Sequence, residues 1–492
     1  MTAVIVGAGR SGLLAAARLK RDGIDGFLIV EKASVIGGRW GERMYPGSRT
    51  DIPSHLFAYS FASTSSWQRK FAEREEVQAY LADVAKTEHL IPHVRLGTEV
   101  TRADFDETTG LWCVQAATGQ CWDCRFLILA TGSPSKPSTP QVHGRRDFAG
   151  IQFSAADWNP SANVEGKRIV VIGTEGGAVQ FVPRLARKAE QLTVVQDRPV
   201  WILPQQQKEY APWTKTLFRW FQLIRAPHRA WLLAQQQWRE GSGRHPDGWR
   251  SRRIERNARK QLHEQVADFR LREKLAPKEP LDLRLPVRSG EYYTALSRHN
   301  VELVTERPAR IHQTGVELAS GRRIPAEILV WATGSESGDP IQSIEVTGRA
   351  DVELGRRRLA TGERFKQVLV PGFPGLLLLH APSLHARSAH NAFAAELSME
   401  YSLKLIRLVL RRDLRFADVC PDAALAWQQK VDRRSAHEPK SDGTSDTHPT
   451  PTYFQTVIDT ARFDPSDFTF ASFGHAVPSL VEREPLARPA RP

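Results

Sequence analysis

Four cysteines and three methionines among 492 residues are the scarcest features of this chain. So few cysteines exclude a disulfide-stapled secreted scaffold and agree with a reducing cytoplasm. The one CxxC, Cys121-Trp122-Asp123-Cys124, has no second copy to complete a zinc site. The apolar run Arg125–Leu129 after it reads as a strand, so no helix N-terminus activates a thiol. Packing in a hairpin is expected there, with no metal bound. Long hydrophobic runs are missing too. The nearest, Val368–Leu379, is broken by Pro371, Gly372, Pro374 and Gly375, which excludes a transmembrane helix. The first strand begins at Ala3, leaving no room for a signal or transit peptide. With 41% hydrophobic and 25% charged residues, the chain has an ordinary globular composition. Its length suits two or three domains with substantial cores.

Negative charge is also in short supply: the net charge is +13. Between Lys208 and Lys274 there are 16 Lys or Arg against 7 Asp or Glu, interleaved with Trp213, Trp220, Trp231, Trp238 and Trp249. No nucleic-acid-binding motif accompanies the charge, so nucleic acid is not an expected partner. The spacing predicts an amphipathic helical insertion, aromatic inside and basic outside. A docking surface for an acidic carrier protein or a membrane surface is the alternative.

What the chain does have is a pair of dinucleotide-binding loops. Val4-Ile5-Val6-Gly7-Ala8-Gly9-Arg10-Ser11-Gly12 runs from an apolar strand through GxGxxG into the helical stretch Leu13–Leu19. The strand Phe27–Val30 follows and ends at Glu31, 19 residues after Gly12, where an acid takes ribose hydroxyls. Val170-Val171-Ile172-Gly173-Thr174-Glu175-Gly176-Gly177-Ala178 has the same layout, but Glu175 and Ala178 replace two glycines. A pyrophosphate must approach the backbone at the middle glycine. Glu175 adds bulk there and sets negative charge against negative charge. One nucleotide site is intact; the other is spoiled.

Strand and helix alternate along the chain, as in doubly wound α/β folds. Phe126–Leu129 and Ile328–Trp331 are apolar strands, each followed by Ala-Thr-Gly (Ala130-Thr131-Gly132 and Ala332-Thr333-Gly334). Leu192–Val195, Val301–Val304 and Leu376–Leu379 also read as strands, and Phe393–Leu410 as a helix. Residues 437–449 and the Arg- and Pro-rich tail after Glu482 have the polar, breaker-rich make-up of mobile chain.

Gly37-Gly38-Arg39-Trp40, then Tyr45-Pro46-Gly47, then Asp51 resembles the [AG]GxWxxxx[FY]P[GM]xxxD pattern of Baeyer–Villiger monooxygenases. So do Ala130–Pro140 with Gly144, Tyr292-Tyr293-x-x-Leu296 and Asn300-Val301-x-Leu303-Val304. The likeness runs from residue 1 to about residue 415. It implies an α/β fold of two Rossmann-type domains with a helical insertion, FAD in the first and NADPH in the second. The implied division is 1–150 for the first part of the FAD domain and 151–200 for the first part of the NADP-type domain. The basic insertion takes 201–280, the rest of the NADP-type domain 281–334, completion of the FAD domain 335–430, and loop and tail 431–492. By resemblance Gly7, Gly9, Ser11 and Gly12 wrap the FAD pyrophosphate, Glu31 binds ribose and Val100 contacts adenine. Gly38, Arg39 and Trp40 cover the flavin, Phe57 fills an aromatic position, and Asp51 lies by the reactive face. Ala130, Thr131, Gly132 and Asn391 complete the FAD set.

The resemblance breaks on nicotinamide and oxygen handling. Besides Glu175 and Ala178, Asp197 stands where the family has an arginine for the 2′-phosphate, with Arg198 next to it. Phe148-x-Gly150-x-x-x-Ser154-Ala155-x-x-Trp158 lacks the family's His-Thr pair. In Arg284-Leu285-Pro286, Leu285 replaces the arginine that steadies the oxygenated flavin, leaving Arg284 to act with Asp51. The closing Trp- and Lys-containing motif is not recognisable in Pro451–Gln455. The expectation is an FAD-dependent monooxygenase-like oxidoreductase using O2 on a hydrophobic carbonyl-bearing metabolite, free or carrier-tethered, with impaired or absent NADPH use. One alternative is an oxidase reduced directly by its substrate, with His380, His385 and His390 near the flavin. The other is a non-catalytic flavin-binding interaction protein.

Overall fold

Buried strands that are apolar on both faces need helices on both sides, and the chain builds two such parallel sheets. The computed structural model describes residues 1–41, 45–64, 66–132, 138, 140–174, 177–205, 207–221, 224–241, 249–279, 287–334, 344–356, 364–379, 388–436 and 463–472. The first sheet runs in the order Leu376–Leu378, Phe126–Leu129, Ala3–Val6, Phe27–Val30, Val94–Arg95, with every neighbouring pair parallel. Helix Arg10–Arg21 makes the first crossover and buries Leu13, Leu14, Ala15, Ala16, Ala17 and Leu19. Helix Ser388–Arg411 packs on it and completes that layer.

The second sheet runs in the order Val301–Val304, Gln191–Val195, Arg168–Ile172, Ile328–Trp331, Ile151–Ser154, again all parallel. Helix Ala178–Leu185 is its first crossover. The expected strands are therefore in place, most with the same ends. Helix Ser388–Arg411 begins earlier than the apolar pattern, because its first turn carries polar residues.

The CxxC lies on strand Cys121–Cys124, antiparallel to Leu111–Ala116. Cys124 is buried opposite Trp112, and burial pushes its thiol up to about 12. Among the described residues no group of His, Cys, Asp and Glu could hold a metal ion, and no helix is long and apolar enough to cross a membrane.

The insertion is helical, in Pro212–Trp220, Arg225–Gly241, Trp249–Gln265 and Phe269–Leu275. Its polarity corrects the expectation. Trp213, Trp220, Trp231 and Trp249 are exposed, whereas Arg225 and Arg229 point inward. Arg225 donates to the carbonyls of Phe218 at 2.7 Å and Ser63 at 3.0 Å. Arg229 donates to the carbonyls of Ala58 and His55 and pairs with Glu396 at 3.2 Å. For Arg229 the cause is the C-terminal end of the short helix Ser54–Phe57, whose orphan carbonyls need donors; Arg225 serves the carbonyls of Phe218 and Ser63 in the same way. Guanidinium groups meet that need, and among the described residues of these two helices Phe218 and Leu232 are the buried apolar ones.

Candidate active site

The first nucleotide loop is held by contacts that leave no room for side chains. Gly7 has φ +107°, and a Cβ there would come within 2.6 Å of the Ala130 carbonyl oxygen. A Cβ on Gly12 would fall 1.8 Å from the Gly7 carbonyl oxygen. Gly38, at φ +57°, lies against Gly9: a Cβ on Gly38 would meet the Gly9 Cα at 2.9 Å. The loop and the Gly37-Gly38-Arg39-Trp40 turn thus form one bare-backbone cradle at the start of helix Arg10–Arg21, with Ser11 in its first turn.

Glu31 is buried and accepts from the backbone N–H of Ala8 at 2.7 Å and of Ala33 at 2.9 Å. A carboxylate has about four lone-pair sites, so two stay available for ribose hydroxyls. Thr131 Oγ1 is buried with no hydrogen-bond partner among the described residues, and Gly132 follows with φ +76°. An orphaned hydroxyl next to a bare-backbone cradle fits a polar ligand such as a dinucleotide. Val100 opens the strand Val100–Asp106 and is buried.

On the face of this cradle Trp40 and Phe57 meet edge to face, ring centres 5.7 Å apart. Arg10 lies over the Phe57 ring, donates to its carbonyl at 3.2 Å and pairs with Glu396 at 3.5 Å. Arg39 and Asp51 are exposed. Two residues before Asp51, Arg49 is buried, and its Nε has no hydrogen-bond partner among the described residues. Burial lowers the Arg49 pKa, while Glu291, Glu73 and Asp51 oppose that shift. The sequence pattern passes over Arg49; a cation two residues from Asp51, the acid that closes the quoted motif, was the available signal. Arg284 lies outside the described residues, as do Glu175, Leu285, His380 and His385. Asn391 sits in helix Ser388–Arg411.

The second loop repeats part of this geometry. Gly173 has φ +100° and faces the Ala332 carbonyl oxygen, 2.3 Å from where its Cβ would be. Gly173 and Ala332 thus match Gly7 and Ala130. Helix Ala178–Leu185 then buries Ala178 completely. Here the first domain docks. Gln180 Oε1 accepts from the Tyr45 hydroxyl at 3.3 Å and the Arg49 N–H at 3.2 Å. Arg184 pairs with Glu73 at 3.0 Å. Gly47, at φ +77°, sits where a Cβ would come 2.8 Å from Arg184 Cγ and 2.9 Å from the Gln180 carbonyl oxygen. Tyr45-Pro46-Gly47 is therefore the joint between the two nucleotide domains. Beyond the next strand Asp197 is paired with Arg307 at 2.8 Å and lies 3.9 Å from Arg198. Arg307 was invisible to a motif reading, because it belongs to a different strand-end.

Comparison with known proteins decides the family. Residues 4–225 match the pyridine nucleotide-disulphide oxidoreductase family. A Baeyer–Villiger monooxygenase of Pseudomonas aeruginosa is 30% identical over 431 residues, 87% of this chain and 81% of that protein. The chain belongs to the Baeyer–Villiger monooxygenase family. A Streptomyces coelicolor member is 29% identical over 434 residues, covering 87% and 83% of the two chains. Steroid monooxygenase bound to NADP superposes with TM-score 0.83 at 24% identity, covering 96% of this chain and 99% of that one. At that identity the superposition speaks for the fold alone. As a Baeyer–Villiger family member the protein is a flavin-dependent oxidoreductase of the monooxygenase type.

The family's Phe-x-Gly frame also survives without its His-Thr pair. Phe148 and Trp158 are buried, and Trp158 packs on Phe153 and Phe181 with ring centres 4.8 and 5.4 Å apart. Ser154 Oγ accepts from the Ala156 N–H at 3.1 Å, so the hydroxyl that remains serves a local turn.

Proposed function

We propose that this protein is an FAD-dependent Baeyer–Villiger-type monooxygenase that oxidises a hydrophobic carbonyl-bearing small molecule with O2 and uses NADPH poorly. The observation that carries this reading is the Gly9–Gly38 contact, which joins the pyrophosphate loop to the Trp40 and Asp51 segment in one cradle. Gly7, Gly9, Ser11, Gly12, Glu31, Thr131 and Gly132 hold FAD, with Asn391 closing the set. FAD, when bound, supplies the electron transfer and oxygen activation. The chain's part is to orient and shield it. Trp40 and Phe57 exclude water from one side, and Asp51 and Arg49 set the charge beside the reactive face. With Leu285 in the usual arginine position, Arg284 or the buried Arg49 supplies the cation.

The weak use of NADPH rests on Glu175 in place of the middle glycine of the second loop and on the Asp197 carboxylate beside the 2′-phosphate position. Each lost or repelled contact is worth about 1–3 kcal/mol. Arg198 and Arg307 flank Asp197 and keep some attraction for a phosphate.

The test is anaerobic stopped-flow absorbance of the holoprotein with NADPH and NADH, followed by a ketone under labelled O2. Flavin bleaching by a nicotinamide and one labelled oxygen in an ester or lactone are expected. Asp51→Ala should bind FAD normally and lose oxygen insertion by about a hundredfold. No bleaching by either nucleotide, or release of hydrogen peroxide alone in the presence of many ketones, would overturn the reading.

A further inference from the structure

Single exposed hydrophobic residues are ordinary on a protein surface. A cluster is not. Of the twelve exposed large hydrophobic residues among those described, seven lie between Trp213 and Phe269. On helix Pro212–Trp220, Trp213, Leu217 and Trp220 follow i, i+4, i+7 spacing, and Phe221 comes next. They form one stripe on one helical face. Trp213 is 70% exposed, Trp220 76% and Phe221 61%. The following helix adds Trp231, 56% exposed. The two helices are tied together beneath by Phe218 against His228, ring centres 5.0 Å apart, with His228 stacked on Trp231. The exposed described side chains of this pair are largely aromatic, and Arg225 and Arg229 on the second helix are turned inward.

Exposed cations follow on a later helix of the insertion. Arg252, Arg253, Arg256 and Lys260 are exposed on helix Trp249–Gln265, within a segment of 16 basic and 7 acidic residues. We infer that this face is a docking surface for an anionic lipid bilayer, with Trp213, Trp220, Phe221 and Trp231 entering the headgroup boundary. Trp is the residue that favours this boundary, its ring apolar and its N–H wet. The exposed cations of the same insertion attract anionic headgroups. An acidic protein would need charge at the centre of the face, where the exposed described residues are Trp213, Leu217, Trp220, Phe221 and Trp231. A second copy would set one strongly basic surface against another. The docked state lies on the membrane and does not span it.

The test uses the full-length FAD-loaded protein in flotation with vesicles of phosphatidylcholine alone or with about a quarter phosphatidylglycerol. Partition into the anionic vesicles is expected, with a blue shift of Trp emission and loss of binding in high salt. Trp213→Ser combined with Trp220→Ser should lower partition at least about tenfold. Arg252→Glu combined with Arg256→Glu should do the same while leaving every aromatic in place. Flavin absorbance confirms that each variant is folded. Wild-type protein that stays unbound with anionic vesicles would overturn the inference, as would equal binding to neutral ones. So would a wild-type dimer that the Trp variant converts to monomer, because the occupant would then be a second copy. Vesicle binding is read on the resting protein, independently of its oxidation chemistry.

Discussion

A missing side chain is the most consequential residue-scale feature of the candidate site. Gly38 combines positive φ with a neighbour, the Gly9 backbone, that cannot yield. Gly38→Ala therefore adds about 1–2 kcal/mol of left-handed strain and pushes on the pyrophosphate loop. The expected result is FAD binding weakened about tenfold or more, with little change in the thermal midpoint of the FAD-free protein. Equilibrium dialysis and flavin-to-protein ratios measure the first quantity, and calorimetry the second. Equal loss in both would mean that Gly38 serves the fold and not the cofactor. His55 is the second residue with a sharp consequence. It is enclosed by Tyr210, Phe218 and His228, and burial, helped by His228, Arg225 and Arg229, lowers its pKa from 6.5 to about 4. Native His55 is thus neutral where unfolded His55 takes a proton. Its contribution is whole above pH about 6.5, falls as pH drops, and is lost near pH 4. At pH 5 the loss is about 2 kcal/mol. His55→Phe should lose less thermal stability than the wild type between pH 7 and pH 5, and identical losses in the two proteins would refute the linkage.

At the scale of elements, the central parallel strands were legible because they are short apolar runs buried on both faces, and Ala3–Val6, Phe126–Leu129, Arg168–Ile172 and Ile328–Trp331 run into Gly or Ala-Thr-Gly. Gly7 and Gly173 also declare the same turn twice, and each sits under the carbonyl of an Ala-Thr-Gly strand. Two things were not legible. Periodicity shows that the insertion has apolar residues at helical spacing, but Phe218 and Leu232 on one side and Trp213 and Trp220 on the other are all apolar. Only the carbonyls awaiting Arg225 and Arg229 decide which side turns inward. The docking of Tyr45-Pro46-Gly47 on helix Ala178–Leu185 joins residues more than a hundred positions apart, and no local pattern reports that. Gln180→Leu keeps the size of the side chain and removes the acceptor for the Tyr45 hydroxyl and the Arg49 N–H. The loss is about 1–3 kcal/mol, because the buried donors stay unpaired. A lower flavin-release midpoint should accompany slower flavin reduction at saturating nicotinamide, since the joint also sets one nucleotide domain against the other. A lower midpoint with unchanged reduction would confine Gln180 to stability.

For the whole molecule, the two sheets are built alike but equipped unequally, and this inequality can be read as ligand linkage. A ligand that binds only the folded protein stabilises it according to its concentration relative to its dissociation constant. FAD, held by the complete cradle, should raise the thermal midpoint strongly. NADP+ at a concentration equal to its dissociation constant adds only about 0.4 kcal/mol. The Asp197 carboxylate now occupies Arg307 and lies near Arg198. Asp197→Ser would release both cations toward the 2′-phosphate and remove the repulsion. If affinity rises about tenfold, the same NADP+ concentration contributes about 1.4 kcal/mol. NAD+, which lacks the 2′-phosphate, should gain nothing from the substitution. The difference between the two nucleotides in one thermal-shift series isolates the phosphate from any general effect on folding. Equal shifts for both, or none for NADP+ in the variant, would show that Asp197 is not what limits NADPH use. Glu175, in place of the middle glycine, would then be the residue to test for the proposed weak use of NADPH.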